Sequence, residues 1–163
     1  MNREYGEVDI DNTRATVAFD RVFDAAMATV WDMLTTDEGL ERWLAPATVD
    51  LRTGGTVDLD FGEEGLAGGA IIDLVSGSSI EYEWRFPGEP DSIIRFDLEA
   101  LDDGRTRLRL NHRLLPPDQA VGYGAGWHAH LDQLADALGG GTDFDWMGRF
   151  NGLLSEYRTL VVV

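Results

Sequence analysis

The sequence predicts an α+β fold. An antiparallel sheet of about six to seven strands is covered on one face by a long helix toward the C-terminus, with two short helices after the first strand. Three observations carry this prediction. Apolar and polar residues alternate with a period of two through most of residues 13–115, apart from one helical interval, as in strands that bury one face only. Short clusters of Gly, Pro, Asp and Ser separate these stretches. At residues 24–44, and again after residue 118, apolar residues recur at three and four, the mark of amphipathic helices.

Residues 1–12 carry charge and no period, and they read as a flexible leader. In the first strand Val17, Phe19, Arg21 and Phe23 fall on one side and Thr16, Ala18, Asp20 and Val22 on the other; Arg21 leaves open which side is buried. Asp24 is placed to cap a helix carrying Met27, Val30, Trp31 and Leu34. Thr36 or Asp37 opens a second helix with Leu40, Trp43 and Leu44 on one face, ended by Pro46. The following strands carry Val49 and Leu51, then Val57, Leu59 and Phe61, then the apolar run 70–75. After these come Ile80, Tyr82, Trp84 and Phe86, then Ile94, Phe96 and Leu98, and last Leu108, Leu110 and His112.

The last hairpin allows a register to be written down. Asp102, Asp103 and Gly104 fit a three-residue loop with Gly104 left-handed. That loop places Leu98 opposite Leu108 and Phe96 opposite Leu110 on the buried face, with Glu99 opposite Arg107 and Asp97 opposite Arg109 on the other. A slip of one residue would set leucine against arginine.

Pro116 and Pro117 stop the sheet, and Asp118 is placed to cap a helix over residues 119–138 with Tyr123, Trp127, Leu131, Leu134 and Leu138 on one stripe. Gly122, Gly124 and Gly126 each cost a helix about 1 kcal/mol relative to Ala. Irregular first turns, a hinge or gate, are therefore expected up to Trp127. Residues 139–163 form a helical extension carrying Trp146, Phe150, Leu153, Leu154 and Tyr157. Packing on its own domain (residues 13–163) is expected. A homodimer contact through the apolar Leu160, Val161, Val162 and Val163 is the other reading.

The chain has 163 residues, 30 acidic and 13 basic, for a net charge of −17; every basic residue is arginine. That charge argues against nucleic acid and against anionic membrane surfaces as partners. Zero cysteine excludes thiol chemistry and disulfides, and no apolar run reaches the length of a membrane span. No signal-peptide core is present, so a cytoplasmic location is expected. The acidity fits either adaptation to high salt or a compositional bias toward arginine over an ordinary acidic surface.

Residues 24–44, DAAMATVWDMLTTDEGLERWL, combine Val30-Trp31 on a small helix, an acidic Thr36-Asp37 turn and a second helix ending in Trp43. Together with Arg52, Gly54 and Gly55, with Gly69, with the strand Glu81-Tyr82-Glu83-Trp84-Arg85, with Thr106-Arg107-Leu108 and with Gly126-Trp127, this order resembles the family of the activator of heat-shock protein 90 ATPase, over roughly residues 15–138. The resemblance implies a helix-grip fold of the START and pollen-allergen type, with a curved sheet gripping the C-terminal helix around an internal cavity. It also implies a range of functions. Relatives of this fold bind lipids, sterols, polyketides or hormones, or act as cyclases or dehydratases, and the family's namesakes act on a chaperone.

Three histidines stand out. His128 and His130 are about 200° apart around a helix and cannot share an ion. His128 and Asp132 have metal-compatible spacing, but the pair alone is weak, and neither metal nor cofactor is expected. His112 continues an inward stripe; it is either a rim histidine or a polar anchor or acid–base in the cavity. Asp73, in a largely apolar run, has no assignable side. Trp31, Trp43, Phe61, Tyr82, Trp84, Phe96, Tyr123 and Trp127, with Leu131, read as core or as pocket lining; Trp43 and Tyr123 are the candidates for a pocket mouth. The expected function is binding of a small apolar or amphipathic ligand of lipid, polyketide or aromatic type in an enclosed cavity of about 300 Å3 or more. The alternatives are a cyclase or dehydratase using His112, and a chaperone-partner module with a large exposed apolar patch.

Overall fold

In the computed structural model, which describes residues 4–161, the chain opens with strands β1 (Glu7–Ile10) and β2 (Ala15–Phe23) and the helices α1 (Met27–Thr35) and α2 (Asp37–Trp43). Six strands follow: β3 (Ala47–Val49), β4 (Thr56–Asp60), β5 (Leu66–Val75), β6 (Ser79–Trp84), β7 (Ser92–Ala100) and β8 (Thr106–Leu115). Helices α3 (Ala120–Leu138) and α4 (Trp146–Leu160) complete the fold. All eight strands form one antiparallel sheet in the order β1-β2-β8-β7-β6-β5-β4-β3. Its inner residues close on Trp127, Leu131 and Leu134 of α3, all buried.

The extra strand is β1, in the stretch expected to be a flexible leader. Val8 and Ile10 alternate with Glu7 and Asp9 and pack against the core, while the backbone pairs with Ala15–Phe23. Asp11 turns the chain between them: its Oδ1 accepts the Thr13 and Arg14 N–H groups, each at 2.8 Å, and lies 3.2 Å from the Thr13 hydroxyl. Four residues with two acids are too short a pattern to separate from noise.

The β7–β8 register is the predicted one. Leu98 faces Leu108 and Phe96 faces Leu110, with Gly104 at φ 85° in the turn. The charges, however, do not pair straight across. Arg107 turns to Asp20 of β2 at 2.7 Å, and Arg95 takes Asp97 along its own strand at 2.9 Å. A long guanidinium on a twisted outer face reaches diagonal and adjacent-strand carboxylates as readily as the opposite one. A register shift between Ile71 and Asp73 turns Asp73 to that same outer face, where it meets Arg95 at 3.0 Å.

Capping differs from expectation at two helices. Thr36 caps α2 through its hydroxyl, which accepts the Gly39 N–H, but Asp24 and Asp118 cap nothing, because α1 starts after Ala26 and α3 after Gln119. The glycine-rich start of α3 is regular helix. One reason is Gly124: a Cβ there would lie 3.1 Å from the Tyr157 ring and 3.2 Å from Val8, so the glycine lets α4 and β1 close against α3. The extension therefore packs on its own domain, with Leu153 and Tyr157 fully buried. Val162 and Val163 of the apolar terminus lie outside the described residues.

Arg21 settles its side by going inward. It is 5% exposed and donates to Asp132 of α3 at 2.8 Å and to the Glu4 carbonyl at 2.6 Å. Asp132 also accepts Arg149 Nε of α4 at 2.8 Å, so one carboxylate joins strand, helix and extension. Asp132→Ala would leave the buried guanidinium without its counter-charge. The expected loss is about 3 kcal/mol, read as a lowered urea midpoint.

Candidate functional site

Helix α3 is tied to the sheet by a chain of hydrogen bonds through buried side chains. Trp127 Nε1 of α3 donates to His112 Nδ1 of β8 at 3.0 Å. Since Nδ1 accepts, the neutral ring carries its proton on Nε2 and donates it to Ser92 Oγ of β7 at 2.8 Å. Ser92 Oγ in turn lies 3.3 Å from the Trp84 carbonyl of β6. Trp84 Nε1 then donates back to the Tyr123 hydroxyl of α3 at 3.0 Å, and Tyr123 donates to Glu89 Oε1 at 2.6 Å. Burial pushes His112 down to about 3 and Tyr123 well above its ordinary value, the latter helped by Glu89.

Beside this circuit a pocket of about 240 Å3 opens between α3, α4 and the sheet. Trp84 at the end of β6, with Phe61 and Phe86 just beyond β4 and β6, lines it from the sheet side, Tyr123, Trp127 and His130 from α3, and Trp146 and Phe150 from α4. Leu44, Gln119, Glu64 and Glu89 complete the wall. Gly122 and Gly126 lie on the helix stripe that faces it. A Cβ at Gly122 would meet nothing within 4 Å, and one at Gly126 only the Phe150 ring at 4.0 Å. The space exists because α3 presents no side chains at these two positions, one helical turn apart.

The α4 wall is built from stacked rings. Asp145 caps the helix, its Oδ1 accepting the Gly148 N–H at 3.0 Å. Trp146 then stacks on Phe150 (4.9 Å between centroids, 8° between planes) and on His130 at 4.7 Å. His130 donates Nδ1–H to the Trp43 carbonyl at 3.1 Å, which leaves Nε2 as an acceptor. Trp146 Nε1 is buried without a hydrogen-bond partner.

Of the predicted site residues, Phe61, Trp84, Tyr123 and Trp127 line the pocket. Trp31, Trp43, Tyr82, Phe96, His112 and Leu131 are buried in the core and do not reach it. Trp43, expected at the mouth, is 1% exposed and donates to the Met33 carbonyl at 2.7 Å. His112 has both ring nitrogens engaged by protein partners, so no free nitrogen faces a ligand. The expected enclosed cavity is corrected too. Phe96 packs edge-to-face on Trp127 and on Trp43, with Trp43 tilted against Trp127, and the three fill the space between sheet and helix, leaving the smaller pocket at one end. Sequence reasoning missed Trp146, Phe150, Phe86, His130 and Glu89. The spacing of Gly122, Gly126 and His130 at four residues was the available signal, because it places two absent side chains in line with a polar ring.

Two other polar regions are accounted for by structure. His128 is pushed down to about 4, mainly by burial; its Nδ1 is 2.8 Å from the Tyr157 hydroxyl and its Nε2 3.6 Å from Asp132. That places the His128–Asp132 pair in the Arg21–Arg149 cluster. No group of three or more residues able to hold a metal ion occurs among the described residues. A depression of about 320 Å3 on the outer face is lined by Glu7, Asp20, Asp97, Arg109 and Asn111, among others, and is too charged for an apolar ligand. No helix among the described residues is long and apolar enough to cross a membrane.

A curved sheet closed on a C-terminal helix, with a pocket at the edge of that helix, is the helix-grip arrangement. The chain belongs to the family described as activator of Hsp90 ATPase homolog 1-like proteins, whose model matches residues 24–139. No curated protein matches it. Among solved structures it is similar to CalU16 from Micromonospora echinospora, with 24% identity and a TM-score of 0.79 over 97% of this chain and 99% of that one. DynU16, from the dynemicin biosynthetic locus, shows 20% identity and a TM-score of 0.71 over 78% of this chain and 48% of that one. The Aha1 dimer from Colwellia psychrerythraea shows 22% identity and a TM-score of 0.67 over 76% and 95%. At these identities the likeness establishes the fold.

The histidines make stability depend on pH. Burial holds His112 at about 3, and His128 and His130 at about 4, against about 6.5 in the unfolded chain. Below pH 6.5 the unfolded state takes up protons that the folded state refuses, so stability is full above that pH and falls toward pH 4. The window from pH 7 to 5 lies above the ordinary values of Asp and Glu, so the histidines dominate it. Urea unfolding is expected to show a loss of up to about 1.4 kcal/mol per pH unit for each histidine over the lower part of this range. A flat profile would contradict it.

Proposed function

We propose that this protein binds a small, largely planar apolar or amphipathic molecule in the pocket between α3, α4 and the sheet. The observation that carries this reading is the helix glycine pair. Gly122 and Gly126 line an aromatic pocket, and in a helix each costs about 1 kcal/mol relative to Ala. Gly124 has a packing reason, since Tyr157 and Val8 close on it; Gly122 has open space. The volume sets the ligand's size. An apolar cavity of about 150 Å3 is enough for benzene, so 240 Å3 suits one ring with substituents or two fused rings. A sterol or a whole lipid chain does not fit inside; a longer molecule leaves its remainder in solvent. DynU16, of similar fold, belongs to a biosynthetic locus, which fits a role beside small-molecule chemistry.

The test is an occluding variant. Gly122→Leu fills the pocket from a position where a Cβ meets nothing. It is expected to raise stability by up to about 1 kcal/mol through helix propensity. It is also expected to weaken binding of 2-naphthol about tenfold or more, read by titration of tryptophan emission. Equal binding by the variant, or no saturable binding by the native chain, would overturn the reading.

A further inference from the structure

From the charges and rings of this pocket we infer that its ligand is an organic cation, an amine or quaternary ammonium on an aromatic or aliphatic body. The inference rests on the pocket being a binding site and adds the class of molecule it takes. Seven aromatic side chains line it, and the only formal charges among its lining residues are the carboxylates Glu64 and Glu89. Ring faces and carboxylates together attract a desolvated cation and disfavour an anion. On the outer face of the sheet several carboxylates are matched by arginine: Asp20 by Arg107, Asp73 and Asp97 by Arg95, Glu81 by Arg113. Arg85, close in sequence to Glu89, is taken by Glu83 and Asp91. Among the described residues neither Glu64 nor Glu89 has a basic partner. Glu89 spends one oxygen on Tyr123, and its other oxygen makes no hydrogen bond to a described residue.

The remaining polar groups fit the same ligand. His130 is held at about 4 by burial, so it is neutral at pH 7 and adds no repelling charge. The ligand so described carries its cation within the pocket whose wall includes Glu64 and Glu89. The net charge of −17 would also concentrate such a cation around the molecule.

Two probes of the same shape test this. Phenyltrimethylammonium and tert-butylbenzene differ by one charged nitrogen and are titrated calorimetrically into the full chain at about 0.15 M salt. The cation is expected to bind about tenfold tighter or more. Glu64→Gln with Glu89→Gln should collapse that ratio. The exposed pair Glu38→Gln with Glu41→Gln, an equal change of charge on α2, should leave it. Equal affinity for the two probes would overturn the cation and leave the pocket reading standing. Loss of the ratio in the α2 control to the same degree would also overturn it, because overall charge would then explain the preference. Binding of neither probe would remove both readings.

Discussion

The hydrogen bond from Trp127 to His112 is the contact on which the rest of this fold turns. A long helix lying in a concave sheet is held mainly by apolar burial, which has no direction and would let the helix slide or rotate. A buried indole N–H with one acceptor in reach removes that freedom, because leaving it unpaired costs the full desolvation of the group. The bond also fixes His112 as the Nε2–H tautomer, which commits Ser92 and then the Trp84 carbonyl. Trp84 returns to the helix through Tyr123. Helix and three strands are thereby set in one rotation and one register. The two indoles in the circuit are also pocket walls, so the same bonds that align the helix hold the site's rings in place.

The acidity acquires a geography. On the outer face, arginines bridge diagonal and neighbouring-strand carboxylates, and Glu81, only 9% exposed, is held by Arg113 at 2.6 Å. At the Arg21–Asp132–Arg149 junction, where Arg149 also meets Glu4, two arginines face two carboxylates and the buried Arg21 is in balance. At the pocket the balance is absent. What sets Glu64 and Glu89 apart is their place beside aromatic rings, where a carboxylate without a guanidinium partner can meet a cation brought by a ligand.

Much of the architecture was legible in the residues. The β7–β8 register followed from a turn and a stripe because leucine opposite arginine has no alternative home. The helix-grip order followed from period and from six short motifs in sequence. What failed has common physical causes. Trp43 and Phe96 look the same in sequence whether they line a void or fill it; only their packing on Trp127 and on each other decides. Arg21 could be placed only with its partner 111 residues away. The α4 wall was invisible because Trp146 and Phe150 read as an ordinary amphipathic stripe, and nothing in their own segment says that they face the glycines of α3.

The two ends of the described chain meet on one side of α3. The Gly6 N–H donates to the Tyr157 hydroxyl at 2.8 Å and the Tyr5 hydroxyl to Glu156 at 3.0 Å, contacts spanning 151 positions. In a chain made from its N-terminus, Tyr5, Gly6 and the buried Arg21 wait for partners made more than a hundred residues later. Contacts of such long range close late and slowly. Because Trp146 and Phe150 belong to that late segment, the α4 wall of the pocket is missing until it has been made. A nascent or truncated chain can therefore hold most of the sheet and still be unable to bind.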